Sequence, residues 1–462
     1  MDRILSDLHP NNIRYLFYLV SPNETTYDKY DDVPNYTDRA SLWLLIFVIL
    51  EYLVSDEKTY AFNDTVTSIN AGICSLLYKF GGRYLSAALF PTVYSYLHIV
   101  DLPIHSPWSW LICFLSTDLM YYLGHRAIHE AGVFWSFHQM HHSSEYYNLS
   151  TALRQGAVQD IAMAFFDLLQ CLYMPPSLFL PHKYLNVLYQ YWLHTQTVPS
   201  LGPLEFIFNT PSAHRVHHGR NPYCIDRNYG ATLIIWDRLF GTYAPEREEE
   251  KIVYGLVDPV NSFNQFWLQL FEFKALGWDK GRMKDANGKE VFPGFWNKMK
   301  AALYPPGYFP GTRTKWFFLW RCVEDNEEGI PQVDASNVIP YNPSLSRGIK
   351  WYLIVQFTFV LIFGLSLNES RLSAPWMELA TKLVVMILAI QSFGNFFDHK
   401  PYAFTYELSR LVHLAVISYY YQELNGFILA IFSILSLFAQ KAINQIPGLH
   451  PIDNNNTDKK SN

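Results

Sequence analysis

The sequence predicts an all-α fold: a polytopic integral membrane protein, a transmembrane helical bundle with a cytosol-facing, histidine-rich di-metal site. Three observations predict it. Half of the 462 residues are hydrophobic, 17% are aromatic and only 16% are charged, whereas about a quarter of residues in a soluble domain carry charge. Apolar runs of helical length recur from residue 41 to residue 440. Histidines cluster at helical spacing where such runs end, as they must if imidazoles gather around metal ions. The net charge of −6 and the absence of a basic stripe interleaved with stacking aromatics exclude nucleic acid as a partner. Cys74, Cys113, Cys171, Cys224 and Cys322 stand apart with no CxxC pair, so neither a disulfide framework nor a thiolate zinc site follows.

Residues 1–40 are rich in Asp, Asn, Pro and Tyr and read as a polar, loosely ordered or interfacial leader without the basic start and apolar core of a signal peptide. Residues 41–250 read as a membrane-embedded catalytic domain. Its first apolar run, 41–55, carries Glu51 and is short of the roughly twenty residues a crossing needs, so the helix should extend or tilt. Further apolar helices are expected at 65–78 and 84–100, parted by Gly81 and Gly82, and at 108–124. The run at 161–180 is broken by Pro175 and Pro176, and an aromatic helix at 184–195 ends in Trp192, Leu193 and His194. Residues 251–348 are polar and read as a cap. Apolar helices return at 351–367, 376–393, 406–421 and 426–440 within a C-terminal segment, 349–445, that carries little chemistry and supports, shields or dimerises the first part, leaving a homodimer open. Residues 446–462 read as a disordered cytosolic tail. Its Lys459 and Lys460 match a dilysine retrieval signal, giving the expectation of an endoplasmic reticulum membrane with the active site towards the cytosol.

The 108–124 helix runs directly into His125, and residues 125–142 hold five histidines: His125, His129, His138, His141 and His142. A second block, His214, His217 and His218, repeats the HxxHH spacing. Residues three and four apart share a helix face, so each block presents its rings together. One zinc takes three or four protein ligands; eight clustered histidines therefore fit two metals better than one. His194 stands alone, and spacing leaves it between a ligand and a buried ring bonded to a carbonyl. His9, His98, His105, His182, His399, His413 and His450 read as core or hydrogen-bonding residues. Neutral imidazole suits iron, zinc or copper and brings no charge to offset the metals, so carboxylates should stand behind it. Glu130, Glu145, Asp118, Asp160 and Asp226 are near enough in sequence. Composition leaves hydrolysis and oxidation open; the lipid setting favours oxidation of an unactivated C–H bond.

HxxxH, HxxHH, the lone histidine of Tyr191-Trp192-Leu193-His194, a second HxxHH and the closing run from Trp236 to Tyr243 stand in one order over residues 105–245. In this the chain resembles the fatty acid hydroxylase superfamily of integral-membrane di-iron enzymes. It is most similar to the superfamily's tetrahydrobiopterin-dependent ether-lipid branch, through His125–Glu130, the run from His138 to Gln155 and that from Pro211 to Asn221. The resemblance implies that the eight clustered histidines and His194 hold two Fe2+ ions, and that Glu130 is catalytic and tied to pterin use. Glu145, Asn148, Arg154 and Gln155 are the further pterin- or headgroup-binding candidates, polar residues beside the metal helices. It also implies a bilayer-borne ether-lipid substrate, an alkylglycerol or its lyso-phospholipid. With O2 and tetrahydrobiopterin, the carbon next to the ether oxygen is hydroxylated, giving a fatty aldehyde and a glycerol derivative. The rival readings are a sterol or sphingolipid hydroxylase or desaturase fed by NADPH and cytochrome b5, and a metal transporter, whose ligands would lie nearer the bilayer midplane.

Overall fold

A computed structural model describes residues 6–56, 58–78, 85–311, 330–370 and 373–442. The Gly81–Gly82 break, Cys322, His450, the 446–462 tail and the dilysine at 459–460 lie outside the described residues. Among those described the fold is helical, with only isolated β-bridges such as Phe208 to Leu233 and Gly219 to Tyr254. The described cysteines are free thiols. Two compact units emerge: residues 1–260 with 269–340, and residues 261–268 with 341 onward.

The first unit is built on α1 (Tyr36–Val54), α2 (Phe62–Tyr78), α3 (Leu85–Leu97), α4 (Pro107–Glu130), α5 (Gly132–His142), α6 (Gln159–Leu169), α7 (Pro176–Tyr189), α8 (Pro211–His218) and α9 (Ile235–Phe240). Helix α4 is its axis and packs against α5, α6 and α7. Ser106 precedes it and Pro107 opens it, a position where the missing N–H of proline costs nothing. Immediately before the first histidine, Gly124 lets α6 approach: a Cβ there would lie 2.9 Å from the Met163 Cε.

The leader departs from expectation. Residues Pro10–Phe17 form a 3-10 helix packed on α7 and α1, and Tyr15, Leu16, Val33 and Tyr36 are buried in the main core. Scattered aromatic anchors in a polar stretch order it. Glu51, conspicuous in an apolar run, is buried where it accepts from the hydroxyls of Tyr60 and Thr195 and from the Leu149 N–H at 2.7 Å. It ties α1 to the loop that carries His194. After α9 the chain continues through α10 (Gln265–Lys274) and α11 (Gly294–Leu303), and α11 packs against α5.

The second unit holds α12 (Arg347–Ser370), α13 (Trp376–Phe397), α14 (Ala403–Tyr420) and α15 (Leu424–Ala442). Segments Arg347–Asn368, Trp376–Phe397 and Leu424–Ala442 are long and apolar enough to cross a bilayer. The bundle is less plain than its composition suggests. Arg410 and Glu407 form a fully buried ion pair at 2.5 and 2.9 Å, completed by Gln356 at 2.6 Å and the Tyr352 hydroxyl at 2.5 Å. A buried pair is costly to break from one side and cheap to replace whole. Arg410→Ala is therefore expected to destabilise the protein by about 3–5 kcal/mol, and a Glu407→Leu, Arg410→Met double substitution to recover most of that, measured by unfolding in detergent. Equal losses in the two variants would show that the cost of Arg410→Ala is not that of leaving Glu407 unpaired.

Candidate metal centre

Four chain segments supply the site. His125 and His129 occupy the last two turns of α4 on one face. Ala131 then adopts an extended conformation, φ −127° and ψ 121°, and this one-residue corner turns α5 back. Only glycine fits at the first position of α5, because a Cβ on Gly132 would sit 2.6 Å from the Ala302 carbonyl oxygen. His138, His141 and His142 end α5, and His214, His217 and His218 end α8. Gly219 follows α8, where a Cβ would strike the Cys224 Sγ at 2.6 Å. His194 comes from the loop after α7. All nine rings are buried.

The rings divide into two groups. His125, His129, His138, His142 and His217 form one; His141, His194, His214 and His218 form the other; within each, the potential ligand atoms lie within 4.8 Å of one another. Their orientation is imposed from behind. His125 Nδ1 donates to the Tyr229 carbonyl at 2.9 Å, His141 Nδ1 to that of Arg154 at 3.0 Å, His194 Nδ1 to that of Gln190 at 2.9 Å and His217 Nδ1 to that of Arg227 at 2.9 Å. His138 Nδ1 donates to the Gln159 Oε1 at 2.8 Å. These oxygens can only accept, so the proton sits on Nδ1 and the Nε2 lone pair points inward.

Those lone pairs face one another. His125 Nε2 lies 3.2 Å from His138 Nε2, and His194 Nε2 lies 3.2, 3.1 and 3.1 Å from the Nε2 atoms of His141, His218 and His214. Nitrogens bound about 2.1 Å from one ion stand roughly 3.0 to 3.4 Å apart in octahedral or tetrahedral arrangements. His129, His142 and His217, all in the five-ring group, have buried Nε2 atoms with no hydrogen-bond partner in the protein. Buried polar atoms are normally satisfied, and a cation at the centre of the five-ring group would satisfy these three. The donor set fits two metal ions.

Electrostatics agree. Burial pulls His138 and His194 down to about 4 and His217 to about 3, and holds His141, His142, His214 and His218 well below the usual histidine range. The rings are therefore neutral, the form that binds metal. Trp135 covers His129 and His142, with centroids 5.0 and 5.4 Å away. Tyr147 covers His194 and His218 and is itself stacked on Tyr254 at 4.7 Å. Of the carboxylates, Asp226 lies 3.9 Å from His129 Nδ1. Glu130 accepts from Arg126 Nε at 2.8 Å and faces the Tyr229 hydroxyl at 3.5 Å, at the rim of the five-ring group. Asp118 lies deeper, accepting from Thr232 N, Leu233 N, Trp236 Nε1 and Asn186 Nδ2.

The other polar candidates are disposed differently. Asn148 closes a turn, donating to the Thr59 carbonyl at 2.8 Å and accepting from Ser150. The Arg154 guanidinium is buried against Asp64 at 2.5 Å, Ser68 and Ser143, while its carbonyl takes the His141 N–H. Gln155 Nε2 donates to the Ala152 carbonyl at 2.7 Å. Glu145 packs beneath Gly255, whose φ of +102° and lack of Cβ admit it. Asp160 begins α6. Sequence reasoning missed Gln159 and Asp64, and assigned no role to Asp237. Asp237 Oδ1 and Oδ2 accept from Tyr229 N and Gly230 N at 2.7 and 2.8 Å, fixing the carbonyl that orients His125.

Comparison with known proteins places this geometry. The fatty acid hydroxylase family model matches residues 110–242, which include every ring of both groups. An alkylglycerol monooxygenase of Caenorhabditis elegans is 45% identical over 416 residues, 88% of this chain and 81% of that protein. The chain belongs to the alkylglycerol monooxygenase family. The Homo sapiens member is 37% identical over 404 residues, covering 86% of this chain and 85% of its own. An ornithine lipid hydroxylase of Rhizobium tropici shares 30% over 212 residues, 43% of this chain and 63% of the relative. No solved structure matches the chain. This member of the family is an oxidoreductase whose histidine clusters have the geometry of metal cradles.

Two outcomes follow for purified protein. His138→Ala and His214→Ala, one from each group, each lower bound metal by about one equivalent in elemental analysis; unchanged content in either removes that ring as a ligand. Gln159→Leu leaves every ring in place but frees His138 Nδ1, and weakens metal retention against a chelator by about 10–100-fold.

Proposed function

We propose that the protein is a membrane-bound di-iron monooxygenase that cleaves the O-alkyl ether bond of alkylglycerols and lyso-alkylglycerophospholipids. The observation that carries this reading is the pair of histidine groups with converging Nε2 atoms, in a chain that aligns with alkylglycerol monooxygenases over most of its length. Two iron ions held there, with tetrahydrobiopterin as electron donor, supply reductive activation of dioxygen and insertion of one oxygen atom into a C–H bond.

The protein's own contribution is positional. The five-ring group His125, His129, His138, His142 and His217 holds one ion, and His141, His194, His214 and His218 hold the other. Carbonyls of Tyr229, Arg154, Gln190 and Arg227 keep the Nδ1 protons of His125, His141, His194 and His217 in place, so these four rings cannot turn a protonated nitrogen inward. Trp135 and Tyr147 shield the groups on two sides, which limits loss of reactive oxygen species to water. We assign the pterin to the Glu130 side: a carboxylate there suits the N–H edge of a pterin ring, and Arg126 fixes its orientation. The substrate carbon hydroxylated is the one next to the ether oxygen. That places a hydroxyl and an alkoxy group on one carbon, and this hemiacetal breaks its C–O bond to the glycerol oxygen, giving aldehyde and alcohol. The second oxygen atom leaves as water with two electrons and two protons from the pterin.

The reading also explains where the groups lie. Helix α4 is largely apolar from Trp108 to Leu123, the buried Asp118 apart, and carries its histidines in the last turns, so a helix rooted in lipid would deliver them at headgroup depth, where the ether linkage sits. The endoplasmic reticulum and a cytosol-facing centre belong to the proposal as well; modification of the site by a membrane-impermeant reagent in sealed microsomes tests the side.

Membranes containing the protein are expected to release fatty aldehyde from a 1-O-alkylglycerol only when tetrahydrobiopterin is supplied. Silence with the pterin, together with oxidation of sterol or acyl lipid by NADPH and cytochrome b5, would move the reaction to the neighbouring class. Glu130→Gln is expected to raise the pterin KM with metal content unchanged; loss of metal instead would make Glu130 a support of the cradle.

A further inference from the structure

Helix α11, in the segment read from sequence as a polar cap, carries an apolar face that stays exposed among the described residues of the first unit. Phe295, Trp296, Met299 and Leu303 are 68, 76, 36 and 46% exposed. At about 100° per residue they fall within an arc of roughly 100°. Ala301, fully buried, points the opposite way. Lys298 and Lys300 flank the arc on its two sides, Lys298 held by Glu290 at 3.1 Å, and exposed Lys284 and Lys289 stand on the adjoining β-bridge turn. A polar helix has no reason to aim Trp and Phe at water.

We propose that α11 is an interfacial helix that lies in the headgroup region of the bilayer and pins α5, and with it His138, His141 and His142, to the membrane surface. The proposal rests on the reading of α4 as rooted in lipid. Three observations select lipid as the occupant. The first is depth. Gly132, where α5 begins, donates its N–H to the Tyr304 carbonyl just past α11 at 3.0 Å. Ile112, exposed near the start of α4, is twenty residues earlier. Helix α4 runs from Ile112 to Glu130 before the Ala131 corner, a rise of about 27 Å at 1.5 Å per residue, close to the roughly 30 Å of the hydrocarbon core, so with Ile112 at one edge of the core α11 stands near the other. The second is chemistry: large aromatics flanked by lysines are the composition of interfacial helices, with apolar rings in the acyl boundary and ammonium groups reaching the phosphates. The third is size. Four partly exposed side chains offer on the order of 500 Å2, below the roughly 800 Å2 per partner of a stable protein interface.

Spin labels at Trp296→Cys, Ala286→Cys and Ile112→Cys in the full-length protein, reconstituted in phosphatidylcholine vesicles containing phosphatidylserine, test this by power saturation. Unsubstituted protein carried through labelling supplies the background. Position 296 is expected to be several-fold more accessible to oxygen than to a water-soluble nickel chelate, as is position 112, while 286 behaves as water-exposed. A water-type response at 296 with a lipid-type response at 112 overturns the docking and leaves the reading of α4 intact. A water-type response at 112 removes that reading and the docking with it. Protection of 296 from both reagents means a second copy or another protein covers the face, and also overturns the proposal.

Discussion

Neutral imidazoles with their lone pairs turned towards each other in a dry interior are the constraint around which the first unit is built. At separations of 3.1 to 3.2 Å, as between His194 and its three neighbours, two acceptors repel, and burial denies them water. The arrangement is stable only with cations between the rings. Without metal ions, the site opposes its own fold, and the surrounding scaffold must hold it together.

That scaffold consists of oxygen acceptors delivered from distant segments. The Tyr229 carbonyl reaches His125 across 104 positions in the chain, and it is held by Asp237. The Arg154 carbonyl reaches His141, and Arg154 is locked to α2 by Asp64. Glu51 on α1 secures the loop of His194 through Thr195. Buried charges are expensive unless fully paired, and here each pairing fixes a backbone oxygen or loop that a ring depends on. The same residues thus serve fold and site, and the unit cannot loosen at one without disturbing the other.

How much of this was legible in the sequence follows from the range of each interaction. The histidine blocks were legible because helical spacing is local: HxxxH and HxxHH put rings on one face whatever the tertiary fold. His194 was ambiguous, since nothing in its own segment shows that it will meet α5 and α8. Gln159 and Asp64 were invisible, because an amide or a carboxylate acting on a ring or guanidinium across the fold has no spacing to betray it. Arg154 looked like a headgroup contact from its polarity, yet its guanidinium is buried against Asp64. Composition misled twice, in the leader, where Tyr15, Leu16 and Tyr36 enter the core, and in the apolar C-terminal unit, where Arg410 and Glu407 are hidden among hydrophobic neighbours.

The central claim is that the nine rings form two separate metal cradles of five and four imidazoles. Mössbauer spectroscopy of the purified protein reconstituted with iron-57 tests it most directly. Two iron ions per chain in two inequivalent nitrogen-rich environments of equal area are predicted. A single iron per chain, or two indistinguishable sites, would contradict the division into these groups.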